Sequence, residues 1–287
     1  MSGRQPPTDA APARRVHMRR RLVAVGAVLA VLFMPLWIIS ASASKKLRSA
    51  RVSSGVRAVL RGERALRRGA RGRRAVESLL AEKPVLREAP GAGREVALTF
   101  DDGPGPYTEE ILDILIGHRA PATFFPVGLA IDEYPDEVRR EASAGFAIGD
   151  HTQGHVKMAG LPPAEQESQL LEQAADLRRL GAPFPRLFRP PFGEYDANTL
   201  KLLRREKMLM VLWTVETADY ERPGEGAILQ HVLEEVHPGA IVLLHDGGGD
   251  RSETVTALPK VIEELRARGY RLVTVPQLVV DAERVAR

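Results

Sequence analysis

Hydrophobic positions divide the chain into three textures. The first is a run from Leu22 to Ala43 with 22 residues and no charge, preceded by Arg19, Arg20 and Arg21. At about 1.5 Å per helical residue it spans roughly 30 Å of hydrocarbon, and Trp37 near its outer end suits an interface. This predicts a transmembrane signal anchor or signal peptide at 22–43, behind a basic cytoplasmic tail at 1–21. Ala41-Ser42-Ala43 fits a cleavage site, but the apolar run exceeds the roughly 7–15 residues of a cleaved signal. The expectation is therefore an uncleaved anchor, or a secreted protein if cleavage follows Ala43. Lys45, Lys46, Arg48 and Arg51 follow the span, so charge gives no orientation. An extracytoplasmic catalytic part is expected from the function argued below.

The second texture, residues 44–94, reads as a basic linker or stalk. Val52, Val56, Val59 and Leu60 have helical spacing, which suits either a basic amphipathic helix on an anionic surface or a solvated stalk. Ala89-Pro90-Gly91-Ala92-Gly93 closes it as a linker. In the third, residues 95–287, short apolar runs alternate with helical patterns. Strands are predicted at Val96–Phe100, Ala122–Phe125, Ala147–Gly149, Arg186–Arg189, Met208–Val215, Ala240–Leu244 and Arg271–Val275. Helices are predicted near 108–117, 135–143, 164–180, 196–206, 226–236 and 253–268. Such alternation implies an α/β fold with parallel strands and helical crossovers. Seven strands suggest a barrel, complete or not, with a doubly wound open sheet as the alternative. A barrel would carry its site at the C-terminal strand ends.

Charge changes the picture of partners. Residues 1–94 hold 21 Lys and Arg against 5 Asp and Glu, whereas residues 95–287 hold 20 against 32. The basic character belongs to the leader, so nucleic acid is not an expected partner. The chain has no cysteine, which excludes disulfides and thiol nucleophiles and leaves any metal to His and carboxylates.

The polar residues that carry chemistry cluster at predicted strand ends. Thr99-Phe100-Asp101-Asp102-Gly103-Pro104 ends an apolar strand with two carboxylates and a sharp turn. One can bind a metal while the other stays free as a base, or both can simply cap turn amides. His151-Thr152-Gln153-Gly154-His155 places two imidazoles four apart, able to face one way in a helical turn and to bind zinc or a similar ion. An HxxxH pair alone is also common by chance. Arg189, in Phe188-Arg189-Pro190-Pro191-Phe192-Gly193, can hold a carboxylate by a bidentate pair of hydrogen bonds, or form a surface salt bridge. Glu216-Thr217-Ala218-Asp219-Tyr220 follows the fifth strand pattern. Ile241-Val242-Leu243-Leu244 delivers His245, which is suited to acid–base work near neutral pH. His17, His118, His231 and His237 lack such context.

Taken together these elements describe a metal hydrolase. Asp102, His151 and His155 would hold the ion, a free carboxylate would accept a proton from water, and His245 would protonate the departing amine. Two His and one carboxylate also describe a non-haem iron oxygenase, but the extra base and acid favour hydrolysis.

The ordered set TFDDGP, HTQGH, RPPFG, a degenerate DxxDW and LLHD resembles the polysaccharide deacetylase family, also called NodB-homology or carbohydrate esterase family 4. The resemblance covers roughly residues 95–280. It implies a distorted, TIM-like (β/α)7 barrel, here expected behind a single transmembrane or signal segment. It implies a divalent metal, Zn²⁺ first, with Co²⁺ or another divalent ion as substitutes. It gives Asp101 as general base and Asp102, His151 and His155 as metal ligands. Arg189 and Asp219 would position the base, and His245 would be the general acid. Leu243 would help line the acetyl pocket, and the Phe192 backbone N–H would stabilise the oxyanion. Tyr220 stands where the family usually has Trp, which alters the pocket, and Phe192 stands where Tyr is frequent.

The expected activity is removal of N-acetyl groups from a cell-envelope polysaccharide, foremost a peptidoglycan N-acetylhexosamine. Lipid-linked sugars, chitin oligomers and xylan esters are the alternative substrates, and a wall protein that binds glycan without turnover is the alternative class. The expected partners are an acetylated glycan and, through residues 22–43, a membrane; a monomer is the expected state.

Overall fold

The computed structural model describes residues 69–285. The predicted tail 1–21, the predicted span 22–43 and the predicted amphipathic stretch around Val52–Leu60 lie outside the described residues. Helix α1 covers residues 69–82, and then β1 (Val85–Leu86), β2 (Glu95–Asp101), α2 (Thr108–Gly117), β3 (Thr123–Phe125), α3 (Gly128–Glu133) and α4 (Pro135–Ala144) follow. Next come β4 (Ala147–Ile148), α5 (Pro163–Arg179), β5 (Leu187–Phe188), α6 (Ala197–Glu206), β6 (Leu209–Val211) and β7 (Val215–Glu216). The chain closes with α7 (Glu225–Glu235), β8 (Ile241–His245), α8 (Ser252–Ala267), β9 (Arg271–Leu272) and α9 (Val275–Val285).

β2 is the centre of the architecture. It is buried along its whole length, as a near-continuous apolar run in a parallel sheet must be. Its alternate residues serve two sides. Val96, Leu98 and Phe100 pack with Ile111, Leu112 and Leu115 of α2 and Leu258, Val261 and Ile262 of α8. Ala97 faces a second core with Phe125, Leu187, Val211 and Ile241. Thr99 and Asp101 follow Ala97 at a spacing of two and share its face. β8 repeats the scheme, with Val242 and Leu244 in the first core and Ile241 in the second. Leu243 and His245 therefore point to the same side as Asp101.

The expected single seven-stranded barrel is not what forms. Every pairing is parallel, but the strands divide into a sheet of order β4-β3-β2-β8-β7, with β9 also on β2, and a three-stranded sheet β1-β6-β5. The predicted strand Met208–Val215 breaks into β6 and β7, which pair in different sheets. On the other side, one isolated bridge, Asp150 with Phe188, links the sheets. Strands of two or three residues offer too few ladder bonds to close the ring.

Among the described residues no helix is long and apolar enough to cross a membrane. α5 with its 17 residues is about 25 Å long, short of the roughly 30 Å hydrocarbon layer, and carries charges throughout. The expected transmembrane segment, and with it the membrane as a partner and the membrane-anchored localisation, finds no support in any described helix.

Residues read from sequence as the end of a stalk and a linker are packed. Ala75, Val76 and Leu80 of α1, with Leu86, Ala89 and Ala92, join the core that contains α9. β1 pairs with β6. Replacing the buried Val76 by alanine is expected to lower the unfolding free energy by about 2 kcal/mol in urea titrations. Glu77→Ala, on the exposed face of the same helix, should stay within about 0.5 kcal/mol of the parent.

Candidate metal-dependent active site

The predicted site residues converge at the C-terminal ends of the parallel strands, and register explains much of this. In the β2–β8 ladder Asp101 is the direct partner of His245, and Thr99 of Leu243. β7 sets Glu216 beside Leu243. An acid and a base from sequence positions far apart are thus adjacent by strand pairing alone.

Asp102 would point away from Asp101 if the strand continued, but its φ of 69° turns the chain. Its Oδ1 then lies 3.0 Å from His155 Nε2 and 3.4 Å from His151 Nε2. The two histidines do not sit in a helical turn, as their spacing suggested. The segment is irregular, and left-handed backbone at Thr152 (φ 70°) and His155 (φ 52°) brings the rings together, with centroids 5.0 Å apart.

The buried His151 is oriented by the next strand. Its Nδ1 lies 2.7 Å from the Arg189 carbonyl oxygen. A carbonyl can only accept, so Nδ1 carries the proton and Nε2 presents a lone pair toward Asp102. Asp102 Oδ1 is buried and accepts no well-formed hydrogen bond. Ligand atoms of Asp102, His151 and His155 all lie within 4.8 Å of one another. Electron-pair donors facing one another without a shared proton call for a cation between them. One carboxylate and two imidazoles, with one imidazole held by a backbone carbonyl, fit a divalent metal.

Asp101 is held by Arg189. The guanidinium is fully buried and lies over the Phe125 ring at 4.3 Å. The expected bidentate grip is absent. One N–H reaches Asp101 Oδ1 at 2.7 Å, and Nη1 also donates to Thr99 Oγ1 at 2.9 Å. Nε and Nη2 donate to the carbonyls of Val211 and Leu212. With its other N–H groups committed to the scaffold, the arginine fixes a single carboxylate oxygen. The other, Oδ2, lies 3.8 Å from His151 Nε2, at the edge of the metal triad.

Asp219, expected with Arg189 to position the base, forms no hydrogen bond with Arg189 or Asp101. It serves His245 instead: Oδ1 lies 2.7 Å from His245 Nδ1, and Oδ2 accepts the His245 backbone N–H at 2.9 Å. Thr254 Oγ1 donates to Asp219 at 2.8 Å, and Thr217 Oγ1 anchors the loop to the Leu243 carbonyl at 2.7 Å. Burial alone would lower the His245 pKa, but the Asp219 hydrogen bond and charge, with Asp101 and Asp102 nearby, raise it above the ordinary histidine value. Burial raises and the His245 contact lowers the Asp219 pKa, with a net fall.

Phe192 and Tyr220 stand at the mouth, 59% and 47% exposed. The Phe192 φ of 60° turns the backbone and brings its ring edge-on to His155 at 4.8 Å. Tyr220 packs edge-on against His245 at 5.4 Å. Leu243 is buried beneath.

The model of the family described as Polysaccharide deacetylase matches residues 88–211. A peptidoglycan-N-acetylglucosamine deacetylase of Bacillus cereus is 38% identical over 198 residues, covering 68% of this chain and 92% of that protein. The chain belongs to the polysaccharide deacetylase family. A chitooligosaccharide deacetylase of a Bradyrhizobium species is 37% identical over 198 residues, covering 64% of this chain and 90% of that protein. A crystal structure of a peptidoglycan N-acetylglucosamine deacetylase, in complex with 4-naphthalen-1-yl-N-oxidanyl-benzamide, superposes with a TM-score of 0.67 at 35% identity. It covers 70% of this chain and 95% of the other.

Several residues given no role in the sequence make supporting contacts around the site. Thr99 supports Arg189, Thr217 and Thr254 support Asp219, and Trp213 donates to Glu216 Oε2 at 2.6 Å. Thr99 had a signal, being a hydroxyl on the inner face of an apolar strand. The other contacts depend on loop conformations that no local pattern encodes.

The Asp219–His245 pair gives a pH prediction. The fold favours charged His245, so the pair's contribution to stability is complete below the ordinary histidine pKa and fades as pH rises through the raised value. If protonated His245 acts in turnover, Asp219→Asn should shift the alkaline limb of the kcat/KM profile to lower pH. At the parent's optimum it should cost on the order of 10²-fold in kcat. An unmoved alkaline limb would remove His245 from the acid role.

Proposed function

We propose that this metal-dependent deacetylase removes the N-acetyl group from N-acetylglucosamine residues of peptidoglycan, with Zn²⁺ as its metal. The observation that carries the reading is the convergence of Asp102, His151 and His155 beside Asp101 and His245, themselves register partners. Its support for the substrate is the Bacillus cereus relative, which the chain matches over nearly that protein's whole length.

When bound, the ion supplies Lewis acidity for the amide carbonyl and lowers the pKa of a water. The remaining work belongs to the chain. Asp101, fixed in place by Arg189, takes a proton from the attacking water. The Phe192 backbone N–H faces the oxyanion. His245, held charged by Asp219, gives its proton to the nitrogen as the C–N bond breaks, which releases acetate and a free amine. Leu243 lines the acetyl group, and Tyr220 and Phe192 form the aromatic walls against which sugar faces pack. The catalytic domain assigned to residues 95–287 is completed by α1 and β1, which close its second core.

Chito-oligosaccharide is the second reading, supported by the Bradyrhizobium relative. Acetate release by the full chain, loaded with Zn²⁺ and given purified peptidoglycan or chitopentaose, decides between them. A higher kcat/KM on peptidoglycan is the expected result. A higher value on the oligosaccharide would move the assignment to the second reading, and no acetate from either would contradict both.

A further inference from the structure

Gly247-Gly248-Gly249-Asp250-Arg251 lies directly after the β8 histidine and has no part in the chemistry above. Its backbone is pressed against Asp102. A side chain at position 247 would collide with the Asp102 carbonyl and the Gly103 Cα. A Cβ at position 248 would stand 2.7 Å from Asp102 Oδ2 and 3.0 Å from Asp102 Cβ. Gly248 and Gly249 also have φ of 72° and 145°, where other residues are strained. The Asp102 carboxylate is therefore enclosed from two sides. Oδ1 faces the imidazoles, and Oδ2 rests on glycine backbone.

Arg251 holds this loop from behind. It is buried, its Nε donates to the Gly247 carbonyl at 2.8 Å, and Nη2 donates to the Gly248 carbonyl at 3.1 Å. Nη1 adds the Asp250 carbonyl at 3.2 Å. Among the described residues no carboxylate lies within ion-pairing distance of Arg251, although burying an unpaired charge is costly. Its charge is spent on three carbonyls of the one loop. A planar fork of donors can hold several acceptors at once in fixed relative positions, whereas an ammonium is a point charge without that geometry.

We propose that Arg251 is a positioning residue for the metal centre. It clamps the triglycine loop against Asp102 and thereby fixes the carboxylate rotation that turns Oδ1 toward His151 and His155. The proposal rests on Asp102 acting as a metal ligand. Partners behind a ligand typically contribute 10–100-fold to metal affinity.

The test is titration of the full chain with Co²⁺, following the d–d absorption band, with folding checked by circular dichroism. Arg251→Lys keeps the charge and loses the fork. Gly248→Ala, an independent variant, pushes the loop off Asp102. Both are expected to weaken Co²⁺ binding by about 10–100-fold and to shift the band, with kcat recovering at saturating Co²⁺. Arg222→Ala breaks only the outer contact of Arg222 with Asp250, 3.1 Å long, and should bind Co²⁺ as the parent does. A folded Arg251→Lys chain with the parent's affinity and band would overturn the proposal, even if it melts earlier. Should Arg251→Lys not fold, Gly248→Ala decides by the same criterion. A parent chain that takes up no Co²⁺ would overturn the ligand reading and this proposal together.

Discussion

Asp101→Asn is expected to lower kcat by about 10²–10⁴-fold, the usual contribution of a positioned general base, while metal uptake remains that of the parent. Asparagine is nearly isosteric, so the Arg189 contact to Oδ1, 2.7 Å in the parent, can persist to the amide oxygen. The triad of Asp102, His151 and His155 does not include Asp101, so the ion has no reason to leave. Stability should change in a specific way. Arg189 is fully buried, and Asp101 is the only carboxylate in ion-pair contact with it among the described residues. Loss of that charge leaves a buried guanidinium uncompensated, at a cost of about 3 kcal/mol. The combination of retained metal, lost turnover and lowered stability in denaturant titrations identifies Asp101 as the base. Unchanged turnover would give that role to another residue.

His151→Ala is the second large effect. It removes one of two imidazoles and also the hydrogen bond from Nδ1 to the Arg189 carbonyl, 2.7 Å long. The ion loses a ligand, and the backbone that carries Arg189 loses one of its ties to the metal loop. Metal affinity should fall beyond the 10–100-fold typical of partners behind a ligand, and acetate release should fall by at least about 10³-fold, since several kcal/mol of transition-state stabilisation go with the metal. Excess metal should restore little of it, because the missing ligand is part of the catalytic geometry. His231→Ala is the contrast. Its Nδ1 contacts the Thr217 carbonyl at 2.8 Å, outside the triad, so metal affinity should match the parent.

Much of the site was legible before the structure because its residues sit where apolar strands end. Asp101, Asp102, Arg189 and His245 each follow an apolar run, and parallel strands deliver such residues to one edge. The way these residues pair was not legible. Asp219 was expected to position the base and holds His245 by two hydrogen bonds, because the turn through Ala218, with φ of 53°, returns the carboxylate toward β8. The convergence of His151 and His155 relies on left-handed residues rather than helical periodicity. Arg189 spends its donors on main-chain carbonyls of the Val211–Leu212 segment, a choice set by tertiary packing.

The fold shows the same division. Strand positions follow from apolar runs, but which sheet a strand joins is decided by long-range pairing. β6 and β7 read as one strand and separate at Leu212–Thr214. β1 has two residues within a basic stretch and gains its place only by pairing with β6. α1 read as stalk because Arg71, Arg73 and Arg74 dominate its composition. Its buried stripe of Ala75, Val76 and Leu80 is too short to stand out from that background.

The central claim is that Asp102, His151 and His155 hold the divalent ion on which acetate release depends. The direct measurement is acetate release from peptidoglycan by the full chain, stripped with a chelator and then titrated with Zn²⁺ while bound metal is counted. The predicted result is negligible release from the stripped chain and a rate that rises with bound metal to a plateau at one ion per chain. Equal rates from stripped and loaded chains would contradict the account.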